Sequence, residues 1–316
     1  MNKNIYHKID FGYACISSII KNCSTARTVP LGKFQKLEDK DSKIYRIEKI
    51  ARSNLKNTTR LLWHNIAEGF KLYRFSSQLI PLANHPAGQI WNYEKELAGE
   101  FEKIGNIIKK HNLKVSSHPG QYTVINTKSE KKFINSVRDL IYHNKVLTAM
   151  NLDGNAVMVT HVGGVYGDKK KSMERFIKNF NKLPQNVRNR LVVENDDTSY
   201  SISDVLTICK TINRPMVLDV HHHNCYNQGE NLEDYLAEIF DTWNILNRPP
   251  KVHFSSPRSK EKPLSHADYI KADDFIEFIK LASNYQFDIM IEAKKQDAAV
   301  LKLWDDLNYN PKKTNP

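Results

Sequence analysis

Acidic side chains stand directly after three short apolar runs of the chain. Glu194 follows Leu-Val-Val, Asp219 follows Met-Val-Leu and Glu292 follows Ile-Met-Ile. A carboxylate at the end of a buried strand is costly unless it is paired or bound to a cation. Histidines accompany these runs, and imidazole and carboxylate groups together suit Zn²⁺ or Mn²⁺-like ions. These residue types predict a site for two or more divalent ions, an arrangement that suits phosphodiester hydrolysis.

Eight β-rich runs, each followed by a polar loop and a segment with helical spacing, must position these groups. The runs are near-continuously apolar, as expected of parallel strands covered on both faces. No Gly-x-Gly-x-x-Gly follows the first run, which favours a closed (β/α)8 TIM barrel over an open doubly wound sheet. We predict a single α/β domain over 1–316, with a basic tail at about 308–316. The runs are 9–15, 71–77, 114–120, 156–163, 190–196, 216–223, 251–256 and 287–294.

Polar residues gather at the C-terminal ends of these predicted strands, the face where barrel enzymes place their chemistry. A lone histidine there is more often a hydrogen-bonded structural residue than a ligand, but convergence at one mouth favours a metal cluster. Strand parity places Asp219 and His221 on one face, so spacing alone does not decide between His221 and His222. The gathered residues are His85, His118, His161, Glu194, Asp196, Asp219, His221, His222, His223, His253, His266 and Glu292.

Lys251 begins the seventh run and shares a strand face with His253. This position would direct its ammonium group at the metal ions, which would repel it unless it lost its proton or was carbamylated. A lysine that snorkels to solvent at the start of the strand explains the position equally well.

The formal net charge of +12 favours a polyanionic partner such as nucleic acid. Two basic segments, GDKKKSMERF after the fourth run and SPRSKEKP after the seventh, fall on the predicted catalytic face. Within them, the residues expected to contact phosphates are Lys169, Lys170, Lys171, Arg258 and Lys260. A basic surface that binds nothing is the alternative interpretation.

No apolar run is long enough to cross a bilayer, and the first residues lack the apolar core of a signal peptide. The four cysteines are scattered and form no Cys-x-x-Cys pair. We therefore expect a cytoplasmic protein with reduced thiols and no membrane partner, and we expect it to be a monomer.

Eight motifs follow one another along the chain: GYAC (12–15), SSQLIPLANHP (76–86), SSHPGQY (116–122), THVGG (160–164), LVVENDD (191–197), LDVHHHN (218–224), KVHFSS (251–256) and MIEAK (290–294). They come in the order found in UV-damage endonucleases, a family that the chain resembles from about Gly12 to Lys294. The resemblance implies a barrel enzyme that binds two or three metal ions, typically Mn²⁺, with Zn²⁺ or Mg²⁺ as alternatives. It also implies nicking of duplex DNA on the 5′ side of cyclobutane pyrimidine dimers and 6-4 photoproducts, and of abasic sites.

The same resemblance implies a ligand set and a catalytic set. It selects His222 rather than His221, which requires the strand to turn after Val220. It matches Lys251 to a lysine that the family carbamylates beside the metals, and it gives Lys251, Glu194 and Glu292 catalytic roles. The chain departs from the family pattern at Ser17 and Gln78, where an asparagine and a histidine can stand. The implied ligands are His118, His161, Glu194, Asp219, His222, His253, His266 and Glu292.

Gln121 and Tyr122 follow His118 in a predicted loop at the barrel mouth. Such a pair could wedge into a duplex and fill the space left by extruded bases, so that damage is recognised by deformability. The alternative role of Tyr122 is a core or rim aromatic. Tyr13, in the GYAC motif, is a further expected DNA contact.

Three other functions remain open on the sequence alone. A sugar isomerase or epimerase would gather similar ligands, but it has little use for the net charge of +12 or for a Gln-Tyr wedge. The second alternative is an abasic-site endonuclease on a related barrel, and equal cutting of abasic and UV-damaged DNA would blur the distinction from a UV-damage endonuclease. A DNA-binding module without catalysis leaves the buried carboxylates unexplained.

Overall fold

The β-strands of this protein close into a barrel, as the repeated sequence pattern predicts. A computed structural model describes residues 6, 8–246 and 248–313. The parallel barrel strands are β1 (Asp10–Ala14), β2 (Leu72–Phe75), β3 (Lys114–Ser117), β4 (Val157–His161), β5 (Leu191–Glu194), β6 (Met216–Asp219) and β7 (Lys251–Phe254). After β7 come a hairpin of β8 (Pro257–Ser259) and β9 (Lys262–His266), and then the last barrel strand, β10 (Asp288–Ile291). The barrel order is β1-β10-β7-β6-β5-β4-β3-β2, which confirms the (β/α)8 TIM barrel.

Helices connect successive strands and cover the barrel. In chain order they are α1 (Leu31–Gln35), α2 (Lys40–Glu68), α3 (Tyr93–Glu96), α4 (Ala98–Lys110), α5 (Glu130–Ala149) and α6 (Lys169–Phe180). They continue with α7 (Gln185–Arg188), α8 (Ile202–Ile212), α9 (Val220–Cys225), α10 (Glu233–Asp241), α11 (Ala272–Leu281) and α12 (Gln296–Asp306). Short 3-10 helices occupy Pro86–Gly88, Thr242–Leu246 and Pro311–Lys313. The last three residues of the predicted basic tail, 314–316, lie outside the described residues.

Closure of the barrel depends on a close approach between β1 and β2. Gly12 pairs with Leu72 in the parallel register. A Cβ atom at position 12 would lie 2.0 Å from the Leu72 carbonyl oxygen, so only glycine fits there. The strands next to this contact therefore keep the spacing that brings their C-terminal ends to one mouth.

The two ends of the barrel differ in chemistry. At the N-terminal end, Lys114 lies 2.9 Å from an oxygen of Asp10 and 2.5 Å from one of Asp288, and Arg248 lies 3.2 Å from the other Asp288 oxygen. Lysine, arginine and aspartate thus balance one another there. The histidines gather at the opposite end, which is therefore the end suited to bind metal.

The basic segment SPRSKEKP contributes to the antiparallel hairpin of β8 and β9. The expectation that Tyr13 contacts DNA is wrong. Tyr13 is fully buried, and its hydroxyl donates to Asn65 Oδ1 on α2 at 2.7 Å. Its side chain therefore points outward from the barrel into the helical layer, where DNA cannot reach it.

Among the described residues, no helix combines the length and the apolar character that crossing a membrane requires.

Candidate metal centre

Glu194, the last residue of β5, lies at the centre of a cluster of histidines and carboxylates at the mouth of the barrel. Its Oε1 lies 2.6 Å from His253 Nδ1, and its Oε2 lies 3.4 Å from His118 Nε2 and 3.5 Å from His161 Nε2. The carboxylate is buried, whereas His118 and His161 keep part of their surface exposed. Glu194 therefore links a buried histidine on one side to two histidines that reach the open mouth.

Three groups of residues in the described chain can each hold a metal ion, and Glu194 belongs to all of them. Within a group, the ligand atoms lie within 4.8 Å of one another. Barrel register explains the proximity, because His161 pairs with Glu194 across β4 and β5, and Asp219 pairs with His253 across β6 and β7. The groups are His118–His161–Glu194, Glu194–Asp219–His222 and Glu194–His253–Glu292.

The end of β6 decides which histidine of the triple faces the cluster. Asp219 ends the strand and caps α9, since its side chain accepts a hydrogen bond from the His222 backbone N–H at 2.8 Å. The chain therefore turns at Val220, and His222 Nδ1 comes within 3.6 Å of Asp219 Oδ2 and 4.0 Å of Glu194 Oε1. His221 instead lies 3.3 Å from the Leu264 carbonyl oxygen of the hairpin. The turn resolves the choice that strand parity left open.

Asn195, directly after Glu194, fixes the backbone at the point where β6 ends and α9 begins. Its side chain accepts from the Asp219 N–H and donates to the Asp219 carbonyl, both at 2.9 Å. Its own carbonyl oxygen lies 3.0 Å from His222 Nδ1. Sequence reasoning did not single out Asn195, although its position beside a buried carboxylate was a signal.

Buried polar atoms without hydrogen-bond partners show that the cluster fits a cation. Asp219 Oδ2 and His253 Nε2 are both buried and unpartnered among the described residues. Burial, together with the negative charges of Glu194 and Glu292, raises the pKa of the Asp219 carboxyl to about 6, although His222 opposes the shift. Carboxylates and imidazoles are ligands of Zn²⁺ and Mn²⁺-like ions. A divalent ion would therefore give the two unpartnered atoms a partner and would offset the repulsion among the three carboxylates.

Arg74 is a functional candidate that the sequence did not reveal. It lies on β2 inside the barrel, and its guanidinium pairs with the Glu292 carboxylate. Glu292 Oε1 also lies 3.1 Å from His253 Nδ1. Burial alone would raise the pKa of the Glu292 carboxyl, but the charges of Arg74 and His253 outweigh it and lower the pKa to about 2. Glu292 is thus held ionised beside the cluster.

His266 lies at the edge of this arrangement. Its Nδ1 is 2.6 Å from the Glu292 carbonyl oxygen, and its ring centre is 5.0 Å from that of His221 and 6.2 Å from that of His222. It belongs to none of the three groups found among the described residues.

Lys251 is fully buried, so the interpretation of a side chain that snorkels to solvent is wrong. Its Nζ donates to Ser116 Oγ at 3.0 Å inside the barrel. Burial lowers the pKa of its amine well below the ordinary lysine value, and the positive charge of Arg248 lowers it further. It precedes His253 by two residues, which places it roughly 7 Å deeper along the strand.

Tyr122 and Gln121 are exposed at the mouth, in the loop after β3. The Tyr122 side chain is 61% exposed, so it is not a core aromatic. Its hydroxyl accepts a hydrogen bond from Asn84 Nδ2 at 3.1 Å. A large aromatic ring is therefore presented to solvent next to His118.

The basic candidates fall into two kinds. Lys169, at the start of α6, pairs with Asp204 at 2.7 Å and lies 5.3 Å from the ring centre of Tyr226, so its ammonium is already engaged. Lys170 is exposed, and so are Arg258 and Lys260 on the hairpin. Lys171 is exposed too, but its Nζ lies 3.1 Å from Asp168 Oδ2. Lys170, Arg258 and Lys260 are thus the basic candidates that form no ion pair among the described residues.

At the two departures from the family pattern, Ser17 donates to Asp297 at the start of α12, and Gln78 is exposed. Neither belongs to a metal-binding group in the described chain.

Known proteins resemble this chain over nearly its full length. The family model described as UV-endonuclease UvdE matches residues 9–315. A UV DNA damage endonuclease of Bacillus cereus (strain B4264) is 40% identical over 304 residues, which cover 95% of each chain. The crystal structure of SacUVDE superimposes with a TM-score of 0.84 at 32% identity and covers 95% of this chain and 99% of the other.

More distant structures share the fold alone. A 3-keto-D-glucoside 4-epimerase, YcjR from E. coli, aligns with a TM-score of 0.54 at 12% identity, covering 95% of this chain and 98% of the other. The barrel by itself is therefore compatible with unrelated chemistry.

Proposed function

The chain belongs to the UV DNA damage endonuclease family of DNA repair enzymes, and on that premise we propose that it nicks duplex DNA immediately 5′ of UV photoproducts. Cyclobutane pyrimidine dimers and 6-4 photoproducts are the proposed substrates, with abasic sites as a further one. The observation that carries the proposal is Glu194, shared by three potential metal-binding groups at the barrel mouth. Family membership favours this activity over a sugar isomerase, an abasic-site enzyme or a non-catalytic module.

The proposed cofactor is two or three Mn²⁺ ions, with Zn²⁺ or Mg²⁺ as alternatives. When bound, such ions activate water and neutralise the charge that develops on a phosphodiester. Glu194 would be shared between ions, and His266 would complete the set from the edge of the mouth. The residues proposed to hold the ions are His118, His161, Glu194, Asp219, His222, His253, His266 and Glu292.

The protein's own groups keep these ligands ionised and oriented. Arg74 holds the Glu292 carboxylate, and Asn195 fixes the corner that carries Asp219. We propose Glu194 and Glu292 as catalytic residues because both present carboxylate oxygens to the cluster. Since the ligands are fixed before substrate arrives, little reorganisation is needed during the reaction.

We propose that Lys251 is the third catalytic residue and that it is carbamylated. Its amine would add to carbon dioxide and release one proton, which gives a carbamate anion. Its environment supports this step, because burial and the cations of Arg248, Arg74 and Lys114 disfavour an ammonium there more than Asp288 favours it. The same three cations would attract an anion. Incubation with ¹³C-labelled bicarbonate should give a carbamate NMR signal that is absent from Lys251→Ala.

Damaged duplex DNA is the proposed partner, and the loops of the mouth are the proposed contact surface. Gln121 and Tyr122 would enter the duplex where weakened stacking lowers the cost of base extrusion. Lys170, Arg258 and Lys260 would contact phosphates, with Lys169 adding positive charge behind them. We further propose that the endonuclease domain spans 1–316 and acts as a cytoplasmic monomer. Light scattering would measure its mass in solution.

The test is a nicking assay on a labelled duplex with a single cyclobutane pyrimidine dimer. We expect a cut immediately 5′ of the dimer in Mn²⁺. The cut should be absent in EDTA, on undamaged duplex and with Glu194→Gln. A metal-dependent enzyme that cuts damaged and undamaged duplexes equally would refute damage recognition, and no cut in any divalent metal would refute the proposed function.

A further inference from the structure

Asp139 is a buried carboxylate that the metal cluster does not use. It lies on α5, and 1% of its surface is exposed. Its Oδ2 accepts hydrogen bonds from the Gly120 N–H at 3.1 Å and the Thr123 hydroxyl at 2.5 Å. Its Oδ1 accepts from Asn84 Nδ2 at 2.7 Å. The imidazole of His143, one turn further along α5, has its Nε2 3.9 Å from Asp139 Oδ1. Hydrogen bonds to a buried carboxylate are costly to break, so Asp139 fixes the loop segments that supply these donors.

These donors lie on both sides of Gln121 and Tyr122. Gly120 and Thr123 flank the pair in sequence, and the Thr123 N–H donates to the Gly120 carbonyl at 2.8 Å, which closes the turn. One carboxylate oxygen of Asp139 is thus hydrogen-bonded to both ends of the turn. The backbone between them has little freedom, although its two side chains point to solvent.

The ring of Tyr122 is also held at two points. Asn84 Nδ2, which reaches Asp139, also donates to the Tyr122 hydroxyl at 3.1 Å. A Cβ atom on Gly120 would lie 2.7 Å from the Tyr122 ring, so the ring packs directly on the Gly120 backbone. The ring is therefore exposed and yet oriented, which is the arrangement that a rigid wedge requires.

We propose that Asp139 is a positioning residue for damage recognition, which holds the Gly120–Thr123 turn and, through Asn84, orients the Tyr122 ring for entry into a damaged duplex. This inference rests on the proposed function of Tyr122. Without the carboxylate, the turn samples other conformations, and the ring must be ordered at the moment of binding. Asp139 belongs to none of the three metal-binding groups in the described chain, so its loss should affect lesion opening more than hydrolysis.

The experiment compares Asp139→Asn with the wild type on two substrates. One is a duplex with a paired cyclobutane dimer, and the other carries the same dimer inside a short unpaired bubble that needs no wedge. We expect kcat/KM to fall about a hundredfold on the paired lesion, as misplacement of a positioning group commonly causes. On the bubble the fall should stay below about tenfold, because the unstacking cost is already removed.

Asp297→Asn is the matched control. Asp297 is likewise a buried aspartate that accepts hydrogen bonds from a neighbouring loop, through Ser17 and the Ser18 N–H, but it does not touch the Gly120–Thr123 turn. This variant should leave the ratio of paired to bubble cleavage at the wild-type value. Bound metal, measured by elemental analysis, should be unchanged in both variants.

Equal losses on paired and bubble substrates, or a full paired-lesion rate for Asp139→Asn, would overturn the inference. If Asp139→Asn does not fold, Asn84→Ala removes the hydrogen bonds that join Asp139 to the Tyr122 ring but keeps those from Gly120 and Thr123, and it should lower the same ratio. An unchanged ratio there would also overturn it. If the wild type itself fails to cut damaged DNA, the proposed function fails first, and that result is distinguishable from a wild type that cuts while the variants match it.

Discussion

Replacement of Glu194 by glutamine should weaken every metal site at once. The carboxylate belongs to all three groups, whereas Asp219 and His222 belong to one of them. Glutamine keeps the volume of the side chain and one oxygen, so the change removes mainly the negative charge. Asp219→Asn provides the comparison, since it removes one charge from a single group.

The distances in the cluster set the size of the effect. Glu194 oxygens lie 2.6 Å from His253 Nδ1 and 3.4 Å from His118 Nε2, so the other groups that would hold an ion lie within 4 Å of the carboxylate. Two unit charges 4 Å apart interact by about 4 kcal/mol at an effective dielectric constant of about 20. That energy corresponds to roughly a thousandfold in affinity. We expect Glu194→Gln to bind Mn²⁺ at least that much more weakly.

Equilibrium dialysis against Mn²⁺, followed by elemental analysis, measures this directly. The wild type should hold two or three ions, Asp219→Asn should lose one, and Glu194→Gln should hold none at the concentration that saturates the wild type. The proposal that Glu194 would be shared between ions would be refuted if Glu194→Gln lost a single ion while the others kept wild-type affinity. Asp297→Asn should bind as the wild type does.

Further predictions concern DNA contacts and stability. Tyr122→Ala should lower kcat/KM on a paired lesion by about ten- to a hundredfold, the value of one base-aromatic stack. Tyr122→Phe keeps the ring but loses the hydrogen bond from Asn84, so it should lower kcat/KM less than Tyr122→Ala does. Replacing both Arg258 and Lys260 by alanine should reduce the slope of log K against log salt by about 2, measured by fluorescence anisotropy. Burial raises the pKa of Asp297, but hydrogen bonds from His64 and Ser17 outweigh it, and the folded pKa is lowered. The ionised Asp297 carboxylate therefore stabilises the folded protein above about pH 4, and this stabilisation is lost as the pH falls through the pKa of Asp297 in the folded state. The difference in unfolding free energy between the wild type and Asp297→Asn should consequently become smaller in acid.

The barrel and its mouth could be predicted because they depend on local patterns. Each strand is a short apolar run, and each carboxylate stands at the end of its run. The same pattern hid the orientation of Tyr13. Both faces of a barrel strand are covered, so a near-continuous apolar run does not show which side chains point inward. Tyr13 points into the helical layer for that reason, although its motif suggested a DNA contact.

Other features depend on contacts distant in sequence. Arg74 pairs with Glu292 across 218 residues, and Asp139 meets Asn84 across 55. Neither partner carries a local signal, since an arginine in a strand and an aspartate in an amphipathic helix are ordinary residues. His222 was selected by resemblance, and its physical cause is the Asp219 cap that turns the chain at Val220.

The loops, and not the barrel, separate this protein from others of the same shape. The glucoside epimerase shares the fold at 12% identity, so a barrel of this kind does not specify its substrate. A small substrate can bind inside the mouth of a barrel, whereas a DNA duplex must be contacted by groups that project from the mouth. Here the ring of Tyr122 projects while its hydroxyl and its turn are tied to Asn84 and Asp139. Loops are otherwise mobile. A buried carboxylate that holds one exposed ring in place therefore indicates that the orientation of this ring matters for substrate binding.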